Sequence, residues 1–220
     1  MRHPGPLFTL LAGVVLAGGI GIVNVATGTG AEPVAGTASA VGVTTTAPPA
    51  TTSEPPRPEV PARADFAGRV TGGGASIAVS ARDGHAIAYV CDGKKVEAWL
   101  QGVTVGGALD LRGAPNASLT GSFDATSATG TVMAAGRTYR FTVPAAKKPA
   151  GLYRATPTVR GKAAKIGWIV QTDGTQVGIL TTDGDSTAAP ALDQAAGTAV
   201  VDGTPVPAEA ISGLAGTGDF

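Results

Sequence analysis

The chain predicts an all-β domain, either an antiparallel up-and-down barrel or a β-sandwich, behind one N-terminal transmembrane helix and a disordered linker. Three observations carry this expectation. Apolar and polar residues alternate with a period of two from residue 66 to about residue 201. Asp-Gly pairs recur at 83–84, 92–93, 173–174, 183–184 and 202–203, and both residues tolerate the positive φ of tight hairpin turns. Residues 7–26, LFTLLAGVVLAGGIGIVNVA, carry no charge.

The organisation that follows is a cytoplasmic N-terminus (1–6), a transmembrane helix or signal anchor (7–26), a Thr/Pro-rich linker (27–64), a β-domain (65–204) and a C-terminal tail (205–220). As a helix, residues 7–26 rise about 30 Å, the thickness of a bilayer's hydrocarbon core. A secretory signal has a shorter apolar stretch, of about 7–15 residues, so length favours an uncleaved anchor. The alternative is processing at Thr29-Gly30-Ala31. Arg2 on the short flank keeps that end in the cytoplasm and sends the remainder outside. The expected location is the cell membrane, crossed once, with an extracytoplasmic C-terminal domain. Gly13, Ala17 and Gly21 share one helix face, a small-residue stripe through which two copies would pack as a homodimer.

The linker mixes Thr with Pro and has no aromatic residue, Leu or Ile. It cannot bury enough apolar surface to offset the entropy of ordering it. Proline stiffens it into a stalk, the composition of O-glycosylated spacers.

In the domain, Ile77, Val79 and Ala81 alternate with Ser80 and Arg82. Val96, Ala98 and Leu100 alternate with Glu97 and Gln101, although Trp99 falls on the polar face. Leu109 and Leu111, then Leu119 and Phe123, then Tyr139, Phe141 and Val143 continue the pattern. Residues 85–91 and 165–171 are apolar on both faces and read as central strands. Ten to twelve strands are expected, with one short helical turn at most in 188–196. The barrel is the preferred form.

The segments AIAYVCDGKKVEAWLQG, GLYRA and IGWIVQTDGTQVGIL resemble exported, membrane-anchored proteins of unknown function of actinobacterial, mycobacterial type. The resemblance covers residues 66 to about 201. It implies an envelope location, and no activity or catalytic residues come with it.

Little in the domain points to catalysis. Its one His, His85, and its one Cys, Cys91, lie six apart on one strand, roughly 20 Å from each other. They are far beyond hydrogen-bond reach, so no catalytic residue is assigned and no enzyme is expected. One His and one Cys do not make a zinc site. The acidic loop at Asp183 and Asp185 lacks the ligands of an EF-hand, so no metal or other cofactor is expected. Arg160-Gly161-Lys162 fails as a phosphate loop because Ala163 stands where Ser or Thr is required. Asn116-Ala117-Ser118 is a glycosylation acceptor only in a host with that machinery. Cys91, in an apolar strand, is expected to be buried rather than to bridge two chains.

Charge is segregated. Between Asp124 and Asp173 stand Arg137, Arg140, Lys147, Lys148, Arg154, Arg160, Lys162 and Lys165, with no acid. From Asp173 onward every charge is acidic. Two readings follow. The eight bases form a face for an anionic surface, or the acidic C-terminal segment pairs with them; pairing is the simpler expectation. Functionally, the chain reads as a membrane-anchored, extracytoplasmic, non-enzymatic binding or scaffold module of the cell envelope. Its partner would be an envelope protein, an anionic lipid or a wall polymer, and not nucleic acid. The alternative is a small β-barrel that holds an apolar small molecule or lipid in its interior.

Overall fold

The computed structural model describes residues 59–213. The expected transmembrane helix, its small-residue stripe and the linker up to residue 58 lie outside the described residues. Among the described residues every regular element is a strand, and no helix is long and apolar enough to cross a membrane.

The first eight strands form one antiparallel meander in chain order: β1 (Arg63–Arg69), β2 (Ser76–Arg82), β3 (His85–Cys91), β4 (Glu97–Val105), β5 (Ala108–Gly113), β6 (Ala117–Phe123), β7 (Ser127–Ala134) and β8 (Arg137–Pro144). Turn chemistry explains the order. At Asp83-Gly84 both residues have positive φ, 51° and 88°, as a two-residue type I′ turn requires. The Ala135-Gly136 turn has the same conformation without an Asp.

The meander nearly closes on itself. Bridges Phe66–Ala145 and Val70–Phe141 join the first and last strands. Between them Gly68 lies against Val143, whose Cγ1 would sit 2.8 Å from a Cβ added at Gly68. One face of every strand points inward and builds a core that includes Phe66, Leu100, Leu111, Leu119, Phe123 and Phe141. The Phe66 and Phe123 rings meet at 5.6 Å. Eight strands give an interior just wide enough for side chains to fill, and here they fill it.

The outer face divides in two. On β5–β8 it is largely exposed and polar, alternating with the buried inner face. On β1–β3 it is buried as well. Ala67, Ala78, Ile87, Tyr89 and Cys91 point outward there and are covered by Leu152, Ile169, Ile179 and Ile211.

The covering layer is a second sheet in the order β13-β12-β11-β9-β17: β13 (Asp185–Ala188), β12 (Gln176–Thr182), β11 (Lys162–Val170), β9 (Gly151–Ala155) and β17 (Glu209–Ile211). The short β10 (Thr158–Val159) pairs with β11 through the Arg160-Gly161 turn. A three-stranded sheet, β14 (Leu192–Asp193), β15 (Thr198–Val201) and β16 (Thr204–Pro207), closes the far side over Tyr153, Ile166, Trp168 and Val170. The strands expected at 85–91 and 165–171 are therefore both sandwiched between layers.

Two expected boundaries are corrected. The fold begins before residue 65, because β1 starts at Arg63 and the carbonyls of Glu59 and Ala62 accept hydrogen bonds from Ala125 and Asp83. It also runs past residue 204. The expected tail supplies most of β16 and all of β17, and buried Ser212 and Gly213 donate to the Asp65 carboxylate. Short segments with Pro205 and Pro207 look like tail in sequence; a hairpin with β15 and the pairing of β17 with distant β9 make them structure. The helical turn allowed at 188–196 is instead β14 and its turn.

Candidate functional site

His85 and Cys91 occupy opposite ends of β3. His85 is exposed beside the Asp83-Gly84 turn, paired with Arg82 and Val103. Cys91 is a buried free thiol, paired with Ser76 and Glu97. Burial pushes its pKa up to about 12, so it is no nucleophile near neutrality.

The basic segment is partly spent. Arg154 pairs with Glu209 at 3.0 Å, Arg160 with Asp202 at 2.8 Å, and Lys162 with Asp183 at 2.7 Å. All three acids come from the acidic C-terminal segment. These pairs are exposed, so each contributes about 0–1 kcal/mol. Arg160, Lys162 and Asp202 line a groove of about 510 Å³ between the second and third sheets, with their charges already matched. Among the described residues, Arg137, Arg140, Lys147, Lys148 and Lys165 are exposed and make no ion pair. Arg137 and Arg140 lie on β8, Lys147 and Lys148 follow it, and Lys165 is on β11.

Glu97 explains why Trp99 sits on a face that reads as polar. That face is covered by the second sheet. Tyr89 and Trp99 are in ring contact at 4.3 Å, and both donate to Glu97, at 3.0 and 3.3 Å. Thr181 of β12 donates to the other Glu97 oxygen at 2.9 Å. The cluster ties the two sheets together. Burial, with the Cys91 and Glu97 charges adding to it, raises the Tyr89 pKa well above the usual phenol value.

Where the seam between barrel and second sheet opens, it leaves a cleft of about 350 Å³. Its floor is polar although it is deep. Ser76 and Gln171, both more than nine-tenths buried, meet there, the Gln171 amide donating to Ser76 Oγ at 3.0 Å. The Gln171 carbonyl oxygen has no partner among the described residues, and no buried side-chain nitrogen or oxygen among them is unsatisfied. That oxygen therefore opens onto the cleft.

Two cations stand on the rim. Arg69 ends β1, and its Nη2 donates to Thr175 Oγ1 at 3.1 Å, with Asp173 at 3.9 Å. Lys94 comes from the loop after β3. That loop is fixed by Asp92, whose Oδ1 accepts from the backbone N–H groups of Lys94, Lys95 and Val96 at 2.8, 2.8 and 3.0 Å. Partial burial would raise the Asp92 pKa, but these three hydrogen bonds outweigh it and hold the carboxyl below its ordinary value. Asp92, the acid that lines the cleft, is thus turned into its own loop.

Gly72, Gly73 and Gly74 form the β1–β2 turn beside the cleft, all with positive φ, and the Thr71 N–H donates to the Arg140 carbonyl at 2.8 Å. Arg69, Ser76, Lys94 and Gln171 were not singled out by sequence. Their one local signal is the Asp-Gly pairs at 92–93 and 173–174, which mark the loops on either side.

No family model matches this chain, and no curated protein or solved structure matches it.

Proposed function

We propose that the protein is a membrane-anchored, extracytoplasmic, non-enzymatic binding module of the cell envelope, and that it binds at the cleft between barrel and second sheet. One observation carries the choice of site. Two separate sheets turn deeply buried polar side chains, Ser76 and Gln171, into an open cavity with Arg69 and Lys94 above them. The pair satisfies itself in part, and the Gln171 carbonyl oxygen left to the cleft favours a polar ligand. The filled barrel interior favours an external site over the alternative of an apolar molecule held inside. The uncharged run at residues 7–26, with Arg2 before it, supports the anchor and the orientation, in line with the resemblance to exported actinobacterial proteins.

Site-specific photocrosslinking in intact cells tests this reading. A photoreactive residue at position 94 should give an adduct that Arg69→Gln removes, whereas the same residue at position 137 should give none. Adducts from positions 137 and 147 but not from 94 would move binding to the basic segment and overturn the cleft reading. Protease shaving of the same cells should degrade the domain while residues 1–26 stay with the membrane.

A further inference from the structure

Resting on the reading of this cleft as the binding site, we infer that it takes a single sugar unit bearing one oxyanion, a carboxylate or a phosphate. The cleft's size sets the first limit. About 350 Å³ lies at the low end for small-molecule sites, which run from about 300 to 1,000 Å³. It suits one ring rather than an extended chain.

The lining sets the second limit. At the rim the Arg69 guanidinium donates one N–H to Thr175 and has the Asp173 carboxylate at 3.9 Å, and its remaining N–H groups form a planar fork suited to an oxyanion. Lys94 adds a second positive charge from a different loop. The Asp92 carboxylate in the lining stays charged, but its Oδ1 is held by three backbone N–H groups of its own loop rather than by the Lys94 ammonium or Arg69.

At the floor the demand is different. The Gln171 carbonyl oxygen accepts, and the Ser76 hydroxyl, which already accepts from Gln171, has its proton to give. A hydroxyl-bearing ring both donates and accepts, so it answers both groups. A bare inorganic anion satisfies only the rim, and a neutral sugar satisfies only the floor. The lining contains no aromatic ring, so recognition rests on hydrogen bonds and charge rather than stacking.

Calorimetric titration of the full-length protein in detergent tests this, with glucuronate, glucose 6-phosphate, glucose and inorganic phosphate as probes. Both anionic sugars should bind, and glucose and phosphate should each bind at least about tenfold more weakly, the scale of one charge-assisted hydrogen bond. Arg69→Gln and Lys94→Gln, both at exposed positions, should each weaken glucuronate about tenfold without changing the melting temperature. Ser76→Ala should weaken the anionic sugars and leave phosphate unchanged. If neither anionic sugar binds, or if glucose or phosphate alone binds as tightly, the assignment is overturned. Should it fail while the adduct at position 94 persists, the cleft binds another chemistry. Should the adduct vanish too, the cleft reading falls with it.

Discussion

The barrel and the layers that cover it are built from the same kinds of strand but are held in different ways. In β1–β8 every strand pairs with its neighbour in sequence, and the turns are short. In the second sheet the order is β13-β12-β11-β9-β17, so the last strand returns to pair with β9, and Glu209 meets Arg154 across 55 positions. The barrel is specified by local turn chemistry and alternation. The second sheet is specified by the apolar outer face of β1–β3, which needs a cover. Function follows that difference, since the cleft lies at the seam, where local rules stop and long-range contact begins.

The largest expected effect separates the two regions. Trp168 is fully buried between the second and third sheets, its indole N–H donating to the Pro190 carbonyl at 2.8 Å. Trp168→Ala should cost about 3–5 kcal/mol in denaturant unfolding, the range for deleting a buried aromatic. Hydrogen exchange should speed up in β9, β11 and β12 while β5–β8 stay protected. Equal loss of protection in β5–β8 would make the molecule one cooperative unit and end the distinction.

A smaller effect comes from pH. The Cys91 pKa is raised in the fold to about 12, against about 8.5 for a free thiol, so the folded state keeps a proton that the unfolded state loses. Its contribution is fully present below about pH 8.5 and is lost as pH rises towards the folded value. Tyr89 acts in the same direction from about pH 10 upward. Cys91→Ala should therefore move the alkaline onset of instability from about pH 8.5 to about pH 10, read from melting temperature against pH. At the acid end Asp92 has a lowered pKa, so its contribution is present above about pH 4 and lost as pH falls through the folded value. Asp92→Asn should flatten that acid limb.

The smallest expected effect tests the barrel's local rules. Ala135 holds φ at 49°, a left-handed conformation that costs Ala about 1–2 kcal/mol and that Asn tolerates better. Ala135→Asn should raise stability by a fraction of that cost, with no effect on binding, as seen in a shift of the denaturation midpoint. A loss of stability would show that this turn is set by packing rather than by backbone preference.

The same division explains what could be read in the sequence. The alternating barrel strands and the central placement of residues 85–91 and 165–171 were legible, because period and burial are local signals. The Asp-Gly pairs at 83–84, 183–184 and 202–203 are two-residue turns as expected. Those at 92–93 and 173–174 are longer loops, in which the Asp side chain caps backbone N–H groups. Ala135-Gly136 and Arg160-Gly161 were not legible as turns, because neither contains the Asp or Asn that signals one. Trp99 looked misplaced only because its outer face has a cover contributed by distant residues of the second sheet, among them Leu152, Ile169 and Ile211. The site was not legible at all. Ser76 and Gln171 stand 95 positions apart, and no local pattern joins them.

The reactivity of Cys91, the one thiol in the chain, reports most directly on whether the second sheet is seated on the barrel and so forms the cleft. Alkylation of the full-length protein by iodoacetamide should be slow under native conditions. It should speed up sharply in Trp168→Ala, while the β5–β8 amides remain protected. Native Cys91 reacting as fast as it does in denatured protein would contradict the account, because the outer face of β3 would then be open and the cleft would not exist.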